Sequence, residues 1–129
     1  VKWQVKEEAV VRNELWRIRK FPEIKSSTFF IRAAAERAAV NFPIQSLAAD
    51  VIKVAMINID RVISEEANQQ IKMLLQVHDE LVFEVAEDKV EFWAKILIPL
   101  MESAILLSVP IKVEAKVGDN WGEMKEFKI

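Results

Sequence analysis

The stretch LLQVHDELVFEV, residues 74–85, carries the pattern that decides the fold. Within it, Leu81, Phe83 and Val85 would face one way and Glu80, Val82 and Glu84 the other, and a period of two over this length is typical of a β-strand. The segment before it, Ile71–Val77, is also largely apolar, and it is followed by a short polar tip. The sequence therefore predicts an antiparallel hairpin with residues 78–80 at or beside its turn.

The tip of this hairpin contains the only histidine of the chain, His78, followed by two acids, Asp79 and Glu80. A two-residue hairpin loop prefers Asn-Gly or Asp-Gly, because positive φ is required, so this poor turn sequence indicates a functional constraint. Neighbouring strand residues point to opposite faces, and only a turn could direct both carboxylates at one ion. Carboxylate oxygens suit Mg²⁺. From the residues alone, a solvated, exposed turn is the favoured interpretation, and the metal site is the alternative.

Other kinds of site lack the residues that they need. No serine lies in a nucleophile-elbow context that would pair with His78 in a Ser-His-Asp arrangement. Without cysteine, a zinc site would have to be rich in carboxylates. The two glycines, Gly118 and Gly122, form no glycine-rich phosphate loop.

Helical patterns flank the hairpin on both sides. Asn41, a good N-cap, and Pro43, which fits a first turn, predict a helix that begins there and runs to about Glu66. A shorter alanine-rich helix is expected before it, over residues 28–40. Acids within residues 87–91 predict the start of a third helix.

The two ends of the chain complete this pattern. Residues 111–117 alternate, and we expect them to join the hairpin as a third strand. Residues 1–5 alternate like a strand, whereas residues 7–18 fit a helix. The prediction is one α+β domain over residues 1–129, with a three-stranded antiparallel sheet packed against two or three helices.

Composition and charge set further bounds. The 129 residues, 52% apolar and 29% charged, suffice for about one globular domain. No signal peptide and no apolar run of the roughly 18 residues that span a membrane is recognised, so we expect a cytoplasmic protein without membrane contact. The net charge of −2 gives no indication of nucleic acid, but basic residues cluster at Arg12, Arg17, Arg19 and Lys20. This cluster is either a phosphate-facing patch or a solvated basic face.

A second set of polar residues is spaced by four along the chain. Arg37, Asn41 and Gln45 would form a row on one continuous helix, and their side chains are of the kinds that hydrogen-bond to base edges. Pro43 is expected to interrupt that helix. An N-capping asparagine with two surface neighbours is the alternative interpretation.

Four segments together resemble one family. QVHDELVFEV (76–85) resembles motif C of the DNA polymerase I family, the family A DNA polymerases. RAAAERAAVNFPIQSLAADVIKVAMI (32–57) is similar to the helices that precede motif C in that family. LIPLMESAILLSVPIKVEAKVGDNW (97–121) and RKFPEIKSS (19–27) are similar to it as well. The resemblance runs in the family's order from residue 19 onward, whereas residues 1–14 match poorly.

The resemblance implies metal chemistry at the tip. Asp79 would be one of two catalytic aspartates that hold a pair of Mg²⁺ ions for nucleotidyl transfer, and Glu80 would be the neighbouring acid that supports this site. In such sites two metals lie about 3.5–4 Å apart, where they activate the attacking hydroxyl and stabilise the leaving group.

The resemblance also implies contacts with DNA. His78 would lie near the primer terminus, and Arg37, Asn41 and Gln45 would contact primer-template DNA, largely on the minor-groove side. The minor groove presents a degenerate acceptor pattern, which suits an enzyme that must accept any correct base pair.

The chain also departs from the family's pattern. The family's other catalytic aspartate lies in a DYSQIE segment that is missing here, and its nucleotide-binding helix carries a Tyr-Gly pair, whereas this chain has no tyrosine. Ser46 replaces the usual glycine, Leu47 replaces a small residue, and LWRIRK (15–20) lacks the glycine of the family's turn. The chain also begins at Val1 without methionine.

We therefore predict the C-terminal palm part of a family A DNA polymerase, either a fragment or a subunit of a split enzyme. It would supply half of a two-metal site, bind Mg²⁺ weakly and be inactive alone. Its partners would be primer-template DNA, dNTP, the missing polymerase segment in trans and possible further copies of itself. One alternative is a catalytically dead module that binds nucleic acid or protein. Another is an unrelated α+β structural domain.

Overall fold

The computed structural model describes residues 2–66 and 69–129. The chain divides into two compact units, Val1–Asp50 and Val51–Ile129. One long helix, α2, spans Phe29–Glu66 and therefore contributes residues to both units.

The first unit begins with helix α1, Lys2–Glu8, followed by a pair of antiparallel strands, β1 (Val10–Arg12) and β2 (Ile18–Lys20). The strand expected at residues 1–5 and the helix expected at 7–18 were thus wrong, because helix and strand occur in the reverse order. Ala9 separates α1 from β1 with a left-handed φ of 53°, which a continuing helix cannot contain. Its carbonyl accepts the amide hydrogen of Phe21, which closes the strand pair.

The core of the first unit forms where the strand pair packs against the first turns of α2. A short 3₁₀ segment over Pro22–Lys25 connects β2 to this helix and adds one buried side chain. The ring of Phe21 meets the ring of Phe42 edge to face, with centroids 6.2 Å apart. The buried residues of this core are Val5, Val11, Phe21, Ile24, Ala35 and Ala39.

Helix α2 is continuous through Pro43, and the prediction of two separate helices with Asn41 as an N-cap was wrong. A proline inside a helix costs about 3 kcal/mol, because one backbone hydrogen bond is lost and the ring crowds the preceding turn. Residues on both sides of the proline are buried. Ala39 is fully buried on one side, and Ser46 and Asp50 are buried on the other.

The same helix is long and apolar enough to cross a membrane by length and composition, with a window of mean hydropathy 1.3 within Phe29–Ser64. No such run was recognised from the sequence. A single helix of this kind is weak evidence for a membrane span, since core helices pass the same test. Ala39 and Ile59 show that α2 contributes apolar side chains to the core of each unit.

The second unit is built on the predicted hairpin. Strands β3 (Ile71–Val77) and β4 (Glu80–Val85) are antiparallel, with Ile71 opposite Val85 and Val77 opposite Glu80. The register shifts between Met73 and Leu75, which marks a β-bulge. The hairpin was therefore predicted correctly.

Helix α3, Val90–Glu102, follows the hairpin and confirms the predicted third helix. Glu91 in its first turn accepts a hydrogen bond from Lys95, with 2.6 Å between Oε1 and Nζ, and this bond lowers the pKa of Glu91. The hairpin packs against α3 and the second half of α2, as the α+β prediction required. The buried residues of this core are Ile59, Ile63, Ile71, Trp93 and Leu97.

The prediction that residues 111–117 join the hairpin as a third strand was wrong. Only Ala115–Val117 of the expected segment forms a strand, β5, and it pairs with β6 (Lys125–Phe127) near the end of the chain. The part of the chain that the structure describes thus contains three two-stranded sheets. Gly118 permits the close return, because a Cβ there would lie 2.4 Å from the carbonyl oxygen of Glu123.

We expect Ile59→Ala to destabilise the protein by about 2–5 kcal/mol, because it leaves a cavity in the second core. Ile59 is 0% exposed, whereas Ile57 on the same helix is 54% exposed. Ile57→Ala is therefore the matched control, with an expected change within about 0.5 kcal/mol. Chemical denaturation measures both, and equal effects would contradict the core described above.

Candidate functional site

The turn of the β3–β4 hairpin consists of two residues, His78 and Asp79, because Val77 and Glu80 form the last strand pair. His78 adopts a φ of 53°, in the left-handed region that favours glycine. For a residue with a Cβ this conformation costs roughly 1–2 kcal/mol. A turn of His78 and Asp79 without glycine is predicted to be unfavourable, and the positive φ of His78 confirms this prediction.

A neighbouring side chain supports the strained turn. The amide Nε2 of Gln76 donates a hydrogen bond to the carbonyl oxygen of His78, at a distance of 2.7 Å. Gln76 stands opposite Leu81 in the strand pair, so its own backbone is fixed by the hairpin. The turn is therefore held by a side chain as well as by the strand ladder.

The two carboxylates of the tip are both exposed to solvent. Asp79 lies in the turn, and Glu80 is the first residue of β4. Within residues 2–66 and 69–129, neither forms an ion pair, and no three His, Asp or Glu side chains group closely enough to hold a metal. The donor chemistry suits a hard cation such as Mg²⁺, which takes one or two protein carboxylates and fills its other positions with water or phosphate oxygens.

The second predicted set, Arg37, Asn41 and Gln45, lies on the continuous part of α2 in the first unit, and all three side chains are exposed. Residues four apart are offset by about 40° around an α-helix, so the three share one face. The alternative of an N-capping asparagine is excluded, because α2 begins at Phe29. His78, Asp79 and Glu80 belong to the other unit.

The basic cluster on the strand pair is partly engaged. Arg17 forms an ion pair with Asp50, and this hydrogen bond raises the pKa of the arginine. The guanidinium of Arg19 lies 4.9 Å from the ring centroid of Phe21. Arg12 and Lys20 are exposed. The cluster therefore combines a structural arginine with cations that face solvent.

Sequence reasoning missed a buried polar group next to this cluster. Asn13, Ser46 and Asp50 are 7%, 9% and 5% exposed, and they are hydrogen-bonded to one another through Asn13. One signal was present, since Asp50 interrupts the apolar stripe of α2 with a charge. Its partners lie more than thirty positions away in sequence, and no local pattern identifies them.

Comparisons with known proteins agree on one family. The family model described as DNA polymerase family A matches residues 1–123. The match therefore also includes the residues before Arg19, where no family motif was identified in the sequence. DNA polymerase I of Lactococcus lactis subsp. cremoris is 40% identical over 122 residues, which are 95% of this chain and 14% of that protein. DNA polymerase I of Pseudomonas aeruginosa is 45% identical over 120 residues, 93% of this chain and 13% of that protein.

A solved structure gives the same result. The polymerase domain of Pol1 from M. smegmatis, in complex with DNA primer-template and dNTP, is similar with a TM-score of 0.80 and 45% identity. The similarity covers 87% of this chain and 20% of that chain. The chain therefore spans about one-seventh of the length of the curated relatives that it matches.

We expect His78→Gly to stabilise the hairpin relative to His78→Ala by about 1 kcal/mol, because only glycine adopts the turn's positive φ without strain. Both variants remove the imidazole, so the comparison isolates the Cβ. Thermal unfolding of the two variants measures the difference. An alanine variant as stable as the glycine variant would show that the turn is not strained.

Proposed function

Because the chain belongs to DNA polymerase family A, we propose that residues 1–129 are the C-terminal palm part of a template-directed DNA polymerase. In this proposal the chain supplies one half of a two-metal site for nucleotidyl transfer. The observation that carries it is the strained two-residue turn that presents Asp79 beside Glu80 at a solvent-exposed tip. Strained backbone of this kind clusters at active sites and ligand-binding sites, which supports the proposal.

Asp79 and Glu80 are the residues that would hold Mg²⁺. The bound metals would supply charge stabilisation to the phosphoryl group and increase the acidity of the primer 3′-hydroxyl. The hairpin's own contribution is to fix the position of the carboxylates, through the strand ladder and the bond from Gln76 to the carbonyl of His78. Two carboxylates alone hold Mg²⁺ weakly, since the ion gives up its hydration water reluctantly.

Primer-template DNA is the proposed partner of the helix face formed by Arg37, Asn41 and Gln45, with His78 near the primer terminus. The three side chains are exposed on one face of α2, which suits a row of hydrogen bonds along a groove. The M. smegmatis relative was solved with DNA primer-template and dNTP, which supports nucleic acid and nucleotide as the partners of the complete site.

The other half of the site would come from a polymerase segment outside these 129 residues, in the same protein or in a partner chain, that carries the second aspartate and the nucleotide-binding helix. The present chain has no tyrosine for that helix, and it matches 14% of the length of DNA polymerase I from Lactococcus lactis subsp. cremoris. Large exposed apolar side chains, including Trp16 at 78% and Phe30 at 81%, offer surface for that polypeptide or for a second copy. Alone, the chain lacks the groups that align a nucleotide for attack and is inactive.

A catalytically dead module that binds nucleic acid or protein is the second candidate. The replacement of the family's usual glycine by Ser46, next to Gln45 on the proposed DNA-facing helix, favours it. A functional half-site should regain primer extension when the missing polymerase segment is supplied, whereas a dead module should not.

We expect no primer extension by the isolated chain with Mg²⁺ or Mn²⁺, because half of the ligands are missing. Adding the remainder of a polymerase domain in trans, prepared from a relative without its matching segment, should restore template-dependent extension. Extension of a labelled primer measures this.

Asp79→Ala should reduce the restored extension to background, whereas Asp88→Ala, which removes another exposed acid of the same unit, should leave it unchanged. A chain that binds its complement without restoring extension would favour the dead module. Extension by the isolated wild-type chain, lost in Asp79→Ala, would refute the half-site.

A further inference from the structure

The loop of the β1–β2 pair is attached to α2 by the buried asparagine found above. Nδ2 of Asn13 donates to Oγ of Ser46 at 3.0 Å and to Oδ2 of Asp50 at 2.9 Å. Ser46 also donates to the carbonyl oxygen of Pro43, at 3.4 Å. One side chain of the loop thus binds two successive turns of the helix, both after Pro43.

The same asparagine organises the loop itself. Its Oδ1 accepts the backbone amides of Leu15 and Arg17, at 2.9 and 3.0 Å. Arg17 in turn donates from Nε and Nη2 to the carboxylate of Asp50. The loop is therefore held in one conformation while it is bound to the helix.

On the other side of Pro43 the strand pair makes apolar contacts. Val11 and Phe21 are buried against the helix in a core that includes Ala35 and Ala39. The strand pair thus contacts α2 through apolar groups before the proline and through hydrogen bonds after it. It bridges the position at which the helix lacks a backbone donor.

Asn41 and Gln45 flank Pro43, and a helix that bends at a proline would change their relative positions. We infer that the β1–β2 pair acts as a splint across Pro43, with Asn13 and Ser46 as positioning residues for the row formed by Arg37, Asn41 and Gln45. The role of that row in DNA binding rests on the proposed function, whereas the splint itself is a property of this chain.

The splint gives Ser46 a role of its own. A residue without a side-chain oxygen at position 46 could not accept the bond from Asn13. Here the serine hydroxyl is buried and bonded on both sides, to Asn13 and to the carbonyl of Pro43. The serine hydroxyl thus adds a restraint next to Pro43.

Hydrogen exchange of backbone amides tests the splint in the isolated chain. In Ser46→Ala and Asn13→Ala, the amides of residues 44–47 should exchange about five- to tenfold faster, as expected for loss of one buried hydrogen bond. Ser46→Thr keeps the hydroxyl and should retain the wild-type rates. Ser108→Ala, at an exposed serine, is the matched control.

Wild-type exchange rates at residues 44–47 in Ser46→Ala would overturn the splint. A uniform increase over the whole first unit in both alanine variants would also overturn it, because it would indicate general destabilisation. The expected change is confined to the amides of residues 44–47, in the turn that follows Pro43.

Fluorescence anisotropy with a short labelled DNA duplex tests the positioning role. Gln45→Ala should weaken binding about fivefold or more, the loss typical of one hydrogen bond. Ser46→Ala should weaken it similarly, and the double variant should be no weaker than either single variant, because both disturb the same contact.

The outcomes separate the two proposals. The proposed DNA contact and the positioning role both fail if the wild-type chain does not bind the duplex, or if Asn41→Ala and Gln45→Ala leave binding unchanged. The splint is then tested by amide hydrogen exchange alone. If those variants weaken binding but Ser46→Ala does not, the positioning role fails while the proposed function stands.

Discussion

The buried carboxylate of Asp50 is the group on which the arrangement of the first unit depends. It is 5% exposed, and a buried carboxylate without a compensating charge costs several kcal/mol. The guanidinium of Arg17 and the amide of Asn13 supply that compensation, and both lie on the loop between β1 and β2. Satisfying one charge on α2 therefore determines where the loop lies. The loop in turn keeps Pro43 within a helix that the sequence pattern divided in two.

The parts of the fold that follow a short-range periodicity could be predicted from the sequence. The alternation of Glu80–Val85 identified the hairpin, and the acids before Val90 identified α3. The predictions failed where distant contacts decide the local structure. Helix α2 continues through Pro43, and residues more than thirty positions away in sequence form hydrogen bonds with its next turns. Strand β5 pairs with β6, whose three residues are too few for a recognisable alternation.

Part of the candidate site could likewise be predicted from the sequence, and part could not. The turn at His78 and Asp79 was identified because two polar residues between two apolar strands leave few alternatives, and its strain followed from the absence of glycine there. The row of Arg37, Asn41 and Gln45 was suggested by spacing, but only a continuous helix places the three on one face. Asn13 gave no signal, and Ser46 was noticed only as a departure from the family pattern, because the contact between them crosses the fold and neither residue type indicates it.

The hairpin that carries Asp79 and Glu80 is complete without the rest of a polymerase, since its strands pair with each other and its inner face packs against Ile59, Trp93 and their neighbours. A segment supplying the other half would meet a preorganised surface and would not have to order it, which saves entropy on association. If the proposed half-site is completed by a separate chain, catalysis would depend on the concentrations of both chains. Joining the two chains by a linker would remove that dependence, because the effective concentration of one for the other would then be set by the linker.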